Sequence, residues 1–387
     1  MSTYIVTGGT GFVGAALILE LLQQTDADLL CLVRLGKEDV DTRLYNALRL
    51  TALAHGYDRR ILALAQQRCN ALEADMDMYC CGCHPSKALG SIAQFWHCAA
   101  SLRYQDEYQE EIYRTNVMGT HNALELAKRL KVESFNYLST VAVEGKRTGL
   151  LLENIYEEDQ TPNHYSRSKL QAELLVARTT EMRIRVFRPS GVISHSRTYT
   201  DGIFTGILYV MARKLLMLKE SMARLQVGYL TTEAPRLRGD PAITVNLIPV
   251  DMVAQQAVRI AFSSSSASVF HLTNSTSPTL GAFLPPFWHG LGIHKPILVP
   301  SKEAFTTFDH QLDEAMEFYT PYLLGERVFD RSNSNAALGD EHAGDFPMDE
   351  KIIKRYVASW CKAILEPRRV RAREGCTVHA DCAARIC

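Results

Sequence analysis

The chain of 387 residues lacks an excess of charge of either sign, because 42 lysines and arginines nearly balance 43 aspartates and glutamates. Nucleic acids and anionic membranes favour strongly basic surfaces, so the near-zero net charge of −1 gives no reason to expect either partner. The chain also lacks any run that approaches the roughly 18 to 20 apolar residues of a membrane span. We therefore expect neither a transmembrane segment nor a nucleic-acid partner.

A complete zinc-ligand motif is missing as well, although the chain has ten cysteines. The run Cys80-Cys-Gly-Cys-His84 resembles half of a metal site, but no second pair follows at zinc-finger spacing. A structural zinc site needs four ligands. We interpret the run as a loop with incidental cysteines and predict no bound metal.

What the chain does have is a regular alternation of predicted strands and helices. Apolar runs predict strands at 3–7, 29–33, 70–75, 92–98, 133–139 and 183–188, and helical periodicity predicts helices at 12–24, 40–68, 107–130 and 164–179. Strands that alternate with helices form a parallel sheet covered on both faces. The pattern therefore predicts an α/β fold with a doubly wound parallel sheet of the Rossmann type.

A glycine-rich turn joins the first predicted strand to the first predicted helix. Gly8 permits a tight turn, Gly11 lets the backbone approach a pyrophosphate, and Gly14 allows the helix to pack closely on the strand. The helix N-terminus then offers free N–H groups and its positive dipole end to the phosphates. These features predict a dinucleotide site formed by Gly8, Thr10, Gly11, Phe12, Val13 and Gly14.

The second predicted strand ends at Val33-Arg34, where NAD-specific sites usually have an acidic residue for the ribose 2′-hydroxyl. An arginine suits a 2′-phosphate instead, since its guanidinium is a charged planar fork. Arg43, in the following helix, would reach the same group. The alternative is two surface arginines in salt bridges. We favour the first interpretation and predict NADPH as the cofactor.

A second group of residues predicts acid–base chemistry. Tyr165 and Lys169 share one face of a predicted helix, and an ammonium there would lower the tyrosine pKa from its ordinary value near 10. Such a pair also occurs on ordinary exposed helix turns. Thr140 ends a strand and is a candidate donor to a substrate carbonyl, with Ser139 as the second choice. Asn116, in mid-helix, is expected to brace the active-site backbone.

The division of the chain into regions follows from a change of pattern after Pro189. An apolar helix is predicted at 201–220 and a loop at 221–242; residues 245–247 and 250–262 resume the strand-and-helix pattern, and the chain from about 275 is mostly helical. We assign 1–193 plus 243–274 to an NADP-binding Rossmann domain, and 194–242 plus 275–365 to a smaller, mostly helical substrate-binding region. Residues 366–387 show no periodicity and predict a mobile tail.

In these motifs the chain resembles the extended short-chain dehydrogenase/reductases. The matching segments, in order, are Thr7-Gly-Gly-Thr-Gly-Phe-Val-Gly14, Asn116-Val-Met-Gly-Thr120, Ser139-Thr140, Tyr165-Ser-Arg-Ser-Lys169 and Arg188-Pro189. Within that superfamily it is most similar to the thioester-reducing branch, of the male sterility NAD-binding type. The similarity lies in Cys31-Leu-Val-Arg34, His97-Cys-Ala-Ala100, Ser139-Thr140 and Ile248-Pro-Val-Asp-Met-Val253. That branch holds fatty acyl-CoA reductases, the reductase domains of carboxylic acid reductases, and the chain-releasing reductase domains of polyketide and peptide synthetases.

The resemblance implies an NADPH-dependent reductase of an acyl thioester, carried on coenzyme A or on a carrier protein, that yields an aldehyde or, after a second reduction, an alcohol. It implies Thr140, Tyr165 and Lys169 as catalytic residues, and it adds Asp75, Met76, Ala99, Asn116, Ser139 and Pro189 to the cofactor contacts. Leu170, Pro189-Ser-Gly and Asp75-Met76 depart from the pattern of the branch.

Other interpretations stay open at this point. An enzyme of the same fold would act on a ketone, a sterol or a sugar nucleotide, and a non-catalytic dinucleotide sensor is disfavoured because Tyr165 and Lys169 are both present. The apolar helix at 203–218 either lines an acyl channel or packs between the two regions. A strand from residue 3 leaves no room for a signal peptide, so we expect a cytoplasmic location.

Overall fold

A computed structural model of the chain describes residues 2–83, 91–200, 202–203, 206–225 and 228–373, with side chains as far as Leu365. The strands are β1 (Thr3–Thr7), β2 (Asp28–Val33), β3 (Cys69–Glu73), β4 (Ile92–His97), β5 (Ser134–Leu138), β6 (Gly149–Leu151), β7 (Arg183–Pro189), β8 (Gly191–Ile193), β9 (Arg236–Arg238), β10 (Leu247–Pro249), β11 (Val269–Leu272), β12 (Ile297–Val299) and β13 (Arg327–Phe329). The helices are α1 (Phe12–Gln24), α2 (Val40–His55), α3 (Arg59–Arg68), α4 (Gln109–Tyr113), α5 (Gly119–Arg129), α6 (His164–Ala177), α7 (Ile207–Arg224), α8 (Val250–Ala261), α9 (Leu280–Gly290), α10 (Thr307–Ala315), α11 (Ser332–Leu338) and α12 (Glu350–Arg373).

Seven strands form the central sheet, in the order β11-β7-β5-β4-β1-β2-β3, and every neighbouring pair is parallel. The strand order reverses between β1 and β4, so their carboxyl ends form the crevice in which ligands of doubly wound sheets bind. The predicted α/β fold with a parallel Rossmann sheet is confirmed. The glycine turn after β1 lies at this crevice.

Helices cover both faces of the sheet. On one face α1 packs against α2 and α8 over side chains such as Val6 and Trp96. On the other face α5 and α6 pack over Ile5, Phe95 and Phe135. Adjacent residues of β1, Ile5 and Val6, therefore point to opposite cores, as a strand buried on both sides requires.

Local caps define where the helices around the crevice begin. The Asn163 side chain accepts a hydrogen bond from the amide of Ser166 and caps α6, which places Tyr165 in the first turn of that helix. Between α4 and α5 the chain makes one π-helical turn, Arg114–Met118. Such turns often occur at functional sites, and this one contains Asn116.

A second hydrophobic cluster lies outside the sheet and joins α7, α9 and α12 around Phe287, Trp288 and Trp360. Within it the structure differs from the sequence prediction. The helix predicted at 201–220 spans Ile207–Arg224, and the loop predicted at 221–242 contains β9, which pairs with β12. The strand predicted at 245–247 is β10, which pairs with β8 in a separate two-stranded sheet. Three-residue strands without clear alternation are hard to detect from sequence.

Two further differences concern the end of the chain. Helix α11 falls in the segment assigned to the substrate-binding region, but it packs on α8 and β11 of the Rossmann sheet. Glu153 holds it there, because its carboxylate accepts hydrogen bonds from the amides of Asn333 (2.5 Å) and His271 (2.6 Å). Helix α12 continues to Arg373, into the segment from residue 366 that was predicted to be a mobile tail, and residues 374–387 lie outside the described part; the mobile tail stays a prediction. The division into two regions otherwise stays a prediction.

Across the described ranges, no helix combines the length and the apolar content that crossing a membrane requires.

Candidate active site

A cavity of about 610 Å³ opens at the carboxyl ends of β1, β4 and β5 and extends between α7, α9 and the segment 316–329. It brings together many of the residues predicted for the site. Those that line it are Gly8, Gly11, Phe12, Val13, Gly14, Ser139, Thr140, Tyr165, Lys169 and Pro189. The glycine turn and the predicted catalytic residues therefore face one continuous space.

The three glycines of the turn differ in what surrounds them. Gly8 has φ +73°, and a Cβ there would lie 2.7 Å from the backbone of Ala99. A Cβ on Gly14 would lie 2.1 Å from the carbonyl oxygen of Gly8, so the helix packs on the turn itself. Around Gly11 the contact nearest to a Cβ is 3.2 Å away, and the residue lines the cavity. The first turn of α1 has amides without intrahelical acceptors, and this arrangement suits a pyrophosphate.

Arg34 and Arg43 lie outside the cavity lining but meet at the end of β2. The Arg43 guanidinium donates a hydrogen bond to the carbonyl oxygen of Arg34, and neither arginine forms an ion pair with a carboxylate in the described part of the chain. Thr10, Asp75, Met76 and Ala99 also lie outside the lining. Met76 instead uses its carbonyl oxygen to accept a hydrogen bond from Asn122, at 2.7 Å.

Ser139 and Thr140 have different partners despite their adjacency. Ser139 is buried, and its hydroxyl donates to the carboxylate of Glu173 at 2.6 Å. Thr140 accepts a hydrogen bond from the amide of Ala142 at 3.2 Å and caps the short 3₁₀ turn that follows β5. Its hydroxyl proton stays available for a donor role toward Tyr165 or a substrate. Ser139, the second choice for that role, already uses its hydroxyl proton in the hydrogen bond to Glu173.

Tyr165 and Lys169 lie on one face of α6, as predicted, but the pKa of the tyrosine is not lowered. Burial raises the pKa of Tyr165 above its ordinary value, the charge of Tyr322 adds to this, and a hydrogen bond from Thr140 acts in the opposite direction. The Lys169 ammonium donates to the carbonyl oxygen of Leu138 at 2.7 Å. Burial lowers the pKa of Lys169 to about 8. Burial sets the direction of the Tyr165 pKa in this structure, and the lowering by Lys169 stays a prediction.

A buried hydrogen-bond chain links the glycine turn to α6. It includes His97, which was not among the site residues predicted from the sequence. Thr7 Oγ1 accepts from the amides of Cys98 and Ala99 (both 3.2 Å) and donates to His97 Nδ1 at 2.8 Å. On the other side of the ring, Nε2 lies 3.0 Å from Thr120 Oγ1, which donates to the carbonyl oxygen of Asn116 at 2.6 Å. These partners place the His97 proton on Nε2, and burial lowers the pKa of His97 to about 3, so the ring is neutral.

Asn116 continues this chain to the catalytic helix. Its side chain accepts from the amide of Ser101 (2.7 Å) and donates to the carbonyl oxygen of the same residue (3.0 Å). It also donates to Ser168 Oγ at 2.9 Å, and Ser168 donates to the carbonyl oxygen of Tyr165. Asn116 is buried and does not touch the cavity. The contacts fit its predicted bracing role, whereas a direct cofactor contact stays a prediction.

A buried charge network behind the site was not foreseen. Arg188, fully buried, donates from Nε to Glu173 at 3.2 Å and makes a second, shorter contact from Nη2 to the same carboxylate. Its Nη1 lies 3.4 Å from Glu144, which follows Thr140 in the 3₁₀ turn, and His271 Nε2 lies 2.7 Å from the same Glu144 oxygen. The network ties α6 to the turn that carries Thr140. These residues are far apart in the sequence, so no local pattern marks them.

The far end of the cavity is mostly apolar. Its walls include side chains of α7, α9 and the 316–329 segment: Ile207, Leu208, Met211, Phe283, Leu284, Met316 and Leu323. Aromatic rings lie beside Tyr165 in the same cavity: Phe318 is 6.4 Å from Tyr165 and 4.9 Å from Tyr104, measured between ring centroids. A long apolar group would fit this space. The α7 helix both lines the cavity and packs in the second cluster, and its role as the wall of an acyl channel stays a prediction.

The cysteines in the described part of the chain give no sign of a reactive or metal-binding role. Cys98 lines the cavity, but burial raises the pKa of its thiol to about 12. Cys80, Cys81 and Cys83 are buried, and His84 of the same run lies outside the described residues. Among the residues that the structure describes, no cluster of three or more His, Cys, Asp or Glu is arranged to hold a metal ion.

Comparisons with known proteins match the part of the chain that contains the glycine turn and Tyr165. A family model described as "Male sterility protein", a family of NAD-binding domains, matches residues 6–257. One subunit of the linear gramicidin synthase of Brevibacillus parabrevis is 28% identical over 285 residues, which cover 70% of this chain and 5% of that protein. The carboxylic acid reductase of Mycobacterium marinum is 28% identical over 213 residues, 48% of this chain and 17% of that protein. The chain thus spans only a small part of these relatives.

Among solved structures, the terminal R domain from the myxalamid PKS-NRPS biosynthetic pathway superposes with a TM-score of 0.73. The match covers 96% of this chain and 92% of that one, at 22% sequence identity. At this level of identity the superposition shows a shared fold. Because it covers 96% of this chain, it extends beyond the central sheet.

Proposed function

The chain belongs to the male sterility protein family of NAD-binding domains, and from that premise we propose that it is an NADPH-dependent reductase that converts an acyl thioester into an aldehyde and a free thiol. The observation that carries the proposal is the single cavity lined by the glycine turn, by Thr140, Tyr165 and Lys169, and by an apolar pocket. Dinucleotide, acid–base residues and acyl group would all meet there.

The residues around the turn fit a dinucleotide. Gly11 leaves open space above the start of α1, where free amides and the helix dipole favour phosphates. Arg34 and Arg43 supply two guanidinium groups at the end of β2, where the 2′-phosphate of NADP would lie, and no carboxylate neutralises them in the described part of the chain. This supports NADPH over NADH, because an acidic residue at this position is the feature that favours NADH.

When bound, the nicotinamide supplies a hydride to the thioester carbonyl carbon, and the chain's own residues then handle the charge and the proton. Thr140 donates its hydroxyl proton toward the carbonyl oxygen, which becomes negative as the C–H bond forms. Tyr165, kept protonated by its raised pKa, transfers a proton to that oxygen. The resulting hemithioacetal breaks its C–S bond, and the aldehyde and the thiol leave.

Lys169 has a supporting part in this scheme. Its ammonium is held by the Leu138 carbonyl 2.7 Å away, one turn along α6 from Tyr165. A positive charge there stabilises the phenolate that Tyr165 becomes after it has given up its proton. His97 and Asn116 hold the backbone of this site without reaching the cavity lining.

The relatives support a thioester bound to a carrier protein or to coenzyme A. One belongs to a peptide synthase and another is a carboxylic acid reductase. A solved structure with a TM-score of 0.69 joins a thiolation domain to a reductase domain of an archaeal non-ribosomal peptide synthetase. We propose that the same kind of thioester, delivered on a phosphopantetheine arm, reaches this cavity.

The test is to incubate the protein with NADPH and a set of acyl-CoA and acyl-carrier thioesters while NADPH absorbance and free thiol are followed together. Thioester reduction to the aldehyde releases one thiol for each NADPH consumed. NADPH consumption on ketones or sugar nucleotides, without thiol release from any thioester, would favour the alternative substrate class. Binding of NADPH without any turnover would favour a sensor.

A further inference from the structure

Two cations that line the cavity have no part in the proposed chemistry, Arg327 and Lys214 of α7, and Lys214 lies among the apolar side chains of that helix. Along α7 the residues that face the cavity recur with helical spacing: Ile207, Met211 and Lys214. Apolar side chains occupy the first two positions, so a lysine at the third interrupts an apolar stripe. Lys214 is half-buried, so its ammonium is partly withdrawn from water and gains from a polar or charged partner. We therefore looked for groups that pair with the Lys214 ammonium.

The partners of Lys214 within the described residues satisfy it only in part. Its Nζ donates a hydrogen bond to the Tyr104 hydroxyl at 2.9 Å and lies 5.5 Å from the centroid of that ring. An ammonium has three donors, so this contact uses one of them. No ion pair joins Lys214 to a carboxylate in the described part of the chain. Glu317 also interacts with the Tyr104 hydroxyl, but it is exposed and does not line the cavity.

The other cations of the cavity are already engaged. Lys169 donates to the Leu138 carbonyl beside Tyr165. Arg327 donates to the carbonyl oxygens of Leu324 and Gly325 at 3.3 and 3.2 Å. No aspartate or glutamate is among the described residues that line the cavity. The lining is therefore positive, and Lys214 differs from Lys169 and Arg327 in that its hydrogen-bond partner among the described residues is a side-chain hydroxyl and not a backbone carbonyl.

We propose that Lys214 and Tyr104 form a subsite for an anionic group of the thioester substrate, either a carboxylate on the acyl chain or the phosphate of its pantetheine arm. This deepens the proposed function and rests on it for the identity of the substrate. The Phe318 ring contacts both Tyr104 and Tyr165, at 4.9 and 6.4 Å between centroids, so the proposed subsite and the catalytic tyrosine flank the same ring. A charge contact of this kind sets which thioester binds and in what register, without taking part in the hydride step.

The experiment measures binding with probes that cannot be reduced, so that it stands independently of turnover. The probes are S-alkyl pantetheine thioethers with either a plain or an ω-carboxylated alkyl chain, each with and without the terminal phosphate. Isothermal titration calorimetry with the NADP-loaded protein gives Kd for the wild type, for Lys214→Met and for Lys214→Arg. Arg213→Met is the matched control, because it removes a charge from the same helix at a residue that does not line the cavity.

We expect one of the two anions to tighten wild-type binding by about tenfold or more, the effect of a hydrogen bond to a charged group. That gain should disappear in Lys214→Met and persist in Lys214→Arg and Arg213→Met. A gain from the carboxylate places the anion on the acyl chain, and a gain from the phosphate places it on the thiol arm. Equal affinities of wild type and Lys214→Met for every probe, or no gain from either anion, would overturn the subsite. Failure of the thioester chemistry would show separately, as absence of thiol release from carboxylated, neutral and phosphorylated thioesters alike.

Discussion

Ser139 donates a hydrogen bond to the buried carboxylate of Glu173 at 2.6 Å, whereas Thr140, the next residue, does not contact that carboxylate in the described structure. Glu173 in turn binds Arg188, so Ser139 belongs to the charge network behind the site. The Thr140 hydroxyl lines the cavity and makes a hydrogen bond to the Tyr165 side chain, so it faces the proposed reaction centre. Ser139 is therefore part of the buried network, and Thr140 is the residue proposed as the donor to the substrate.

The two positions should respond differently to loss of the hydroxyl. Thr140→Val is expected to lower kcat by about 10²- to 10³-fold, the usual effect of removing one donor to a developing oxyanion. Ser139→Ala should leave most of the activity and lower the free energy of unfolding by about 1 to 3 kcal/mol, since it leaves part of a buried carboxylate unsatisfied. Steady-state kinetics and urea unfolding measure both quantities. Thr140→Ser serves as the control that keeps a hydroxyl, and a larger kcat loss for Ser139→Ala than for Thr140→Val would contradict the assignment.

Cofactor choice should depend on Arg34. Arg34→Ala is expected to weaken NADPH binding by about 1.5 to 3 kcal/mol, the range for a hydrogen bond to a charged group, with little effect on NADH. Fluorescence titration with each cofactor gives the two dissociation constants. Arg49→Ala, in the same helix as Arg43 but further along it, controls for the loss of a positive charge. Equal losses for NADPH and NADH would show that Arg34 does not contact the 2′-phosphate.

The pH dependence of turnover should follow the protonation state of Lys169. Burial lowers its pKa to about 8, so the ammonium is present below that pH and is lost as the pH rises through about 8. Tyr165 has a raised pKa and stays protonated over the same range, so it adds no alkaline limb below about pH 10, the ordinary tyrosine value. We expect kcat to fall with increasing pH around 8. Lys169→Arg keeps a charge that does not titrate there and should abolish the limb while some activity remains; an unchanged limb in that variant would assign it to another group.

Arg188 should be among the residues on which stability depends most. Arg188→Met leaves Glu173 and Glu144 buried without their cation, and removal of one partner of a buried pair costs about 3 to 5 kcal/mol. Arg167→Met is the matched control, because Arg167 pairs with Asp159 at the surface and such pairs contribute about 0 to 1 kcal/mol. Chemical denaturation of both variants measures the difference. Similar losses in the two would mean that the buried network is not what holds α6 to the Thr140 turn.

The part of the fold that the sequence predicted well is local. The strand, turn and helix around Gly8, Gly11 and Gly14 follow from short-range constraints, because the close approach of Gly14 to the Gly8 carbonyl involves neighbouring residues. The ends of parallel strands must also meet at one edge, so the strand pattern alone places Thr140 near the turn. Tyr165 and Lys169 share a face by helical spacing alone.

The remaining features depend on long-range packing. His97 contacts Thr7 and Thr120, and Arg188 contacts Glu144, across sequence separations that carry no periodic signal. The raised pKa of Tyr165 results from burial by a distant segment of the chain, which includes Phe318 and Tyr322. Helix α11 carries a helical pattern, but only its contacts with α8 and β11 show that it covers the Rossmann sheet.

The central claim is that hydride passes from NADPH to the carbonyl carbon of a thioester in the cavity that contains Tyr165. The most direct measurement is a single turnover with NADPH deuterated at the transferable positions of the nicotinamide, an acyl-CoA or acyl-carrier thioester, and mass spectrometry of the product. We expect the aldehyde to carry a single deuterium at its carbonyl carbon, with thiol released in equal amount, and Tyr165→Phe to slow both by about 10²-fold or more. Thiol released together with a carboxylic acid that contains no deuterium would mean hydrolysis, and would contradict the account.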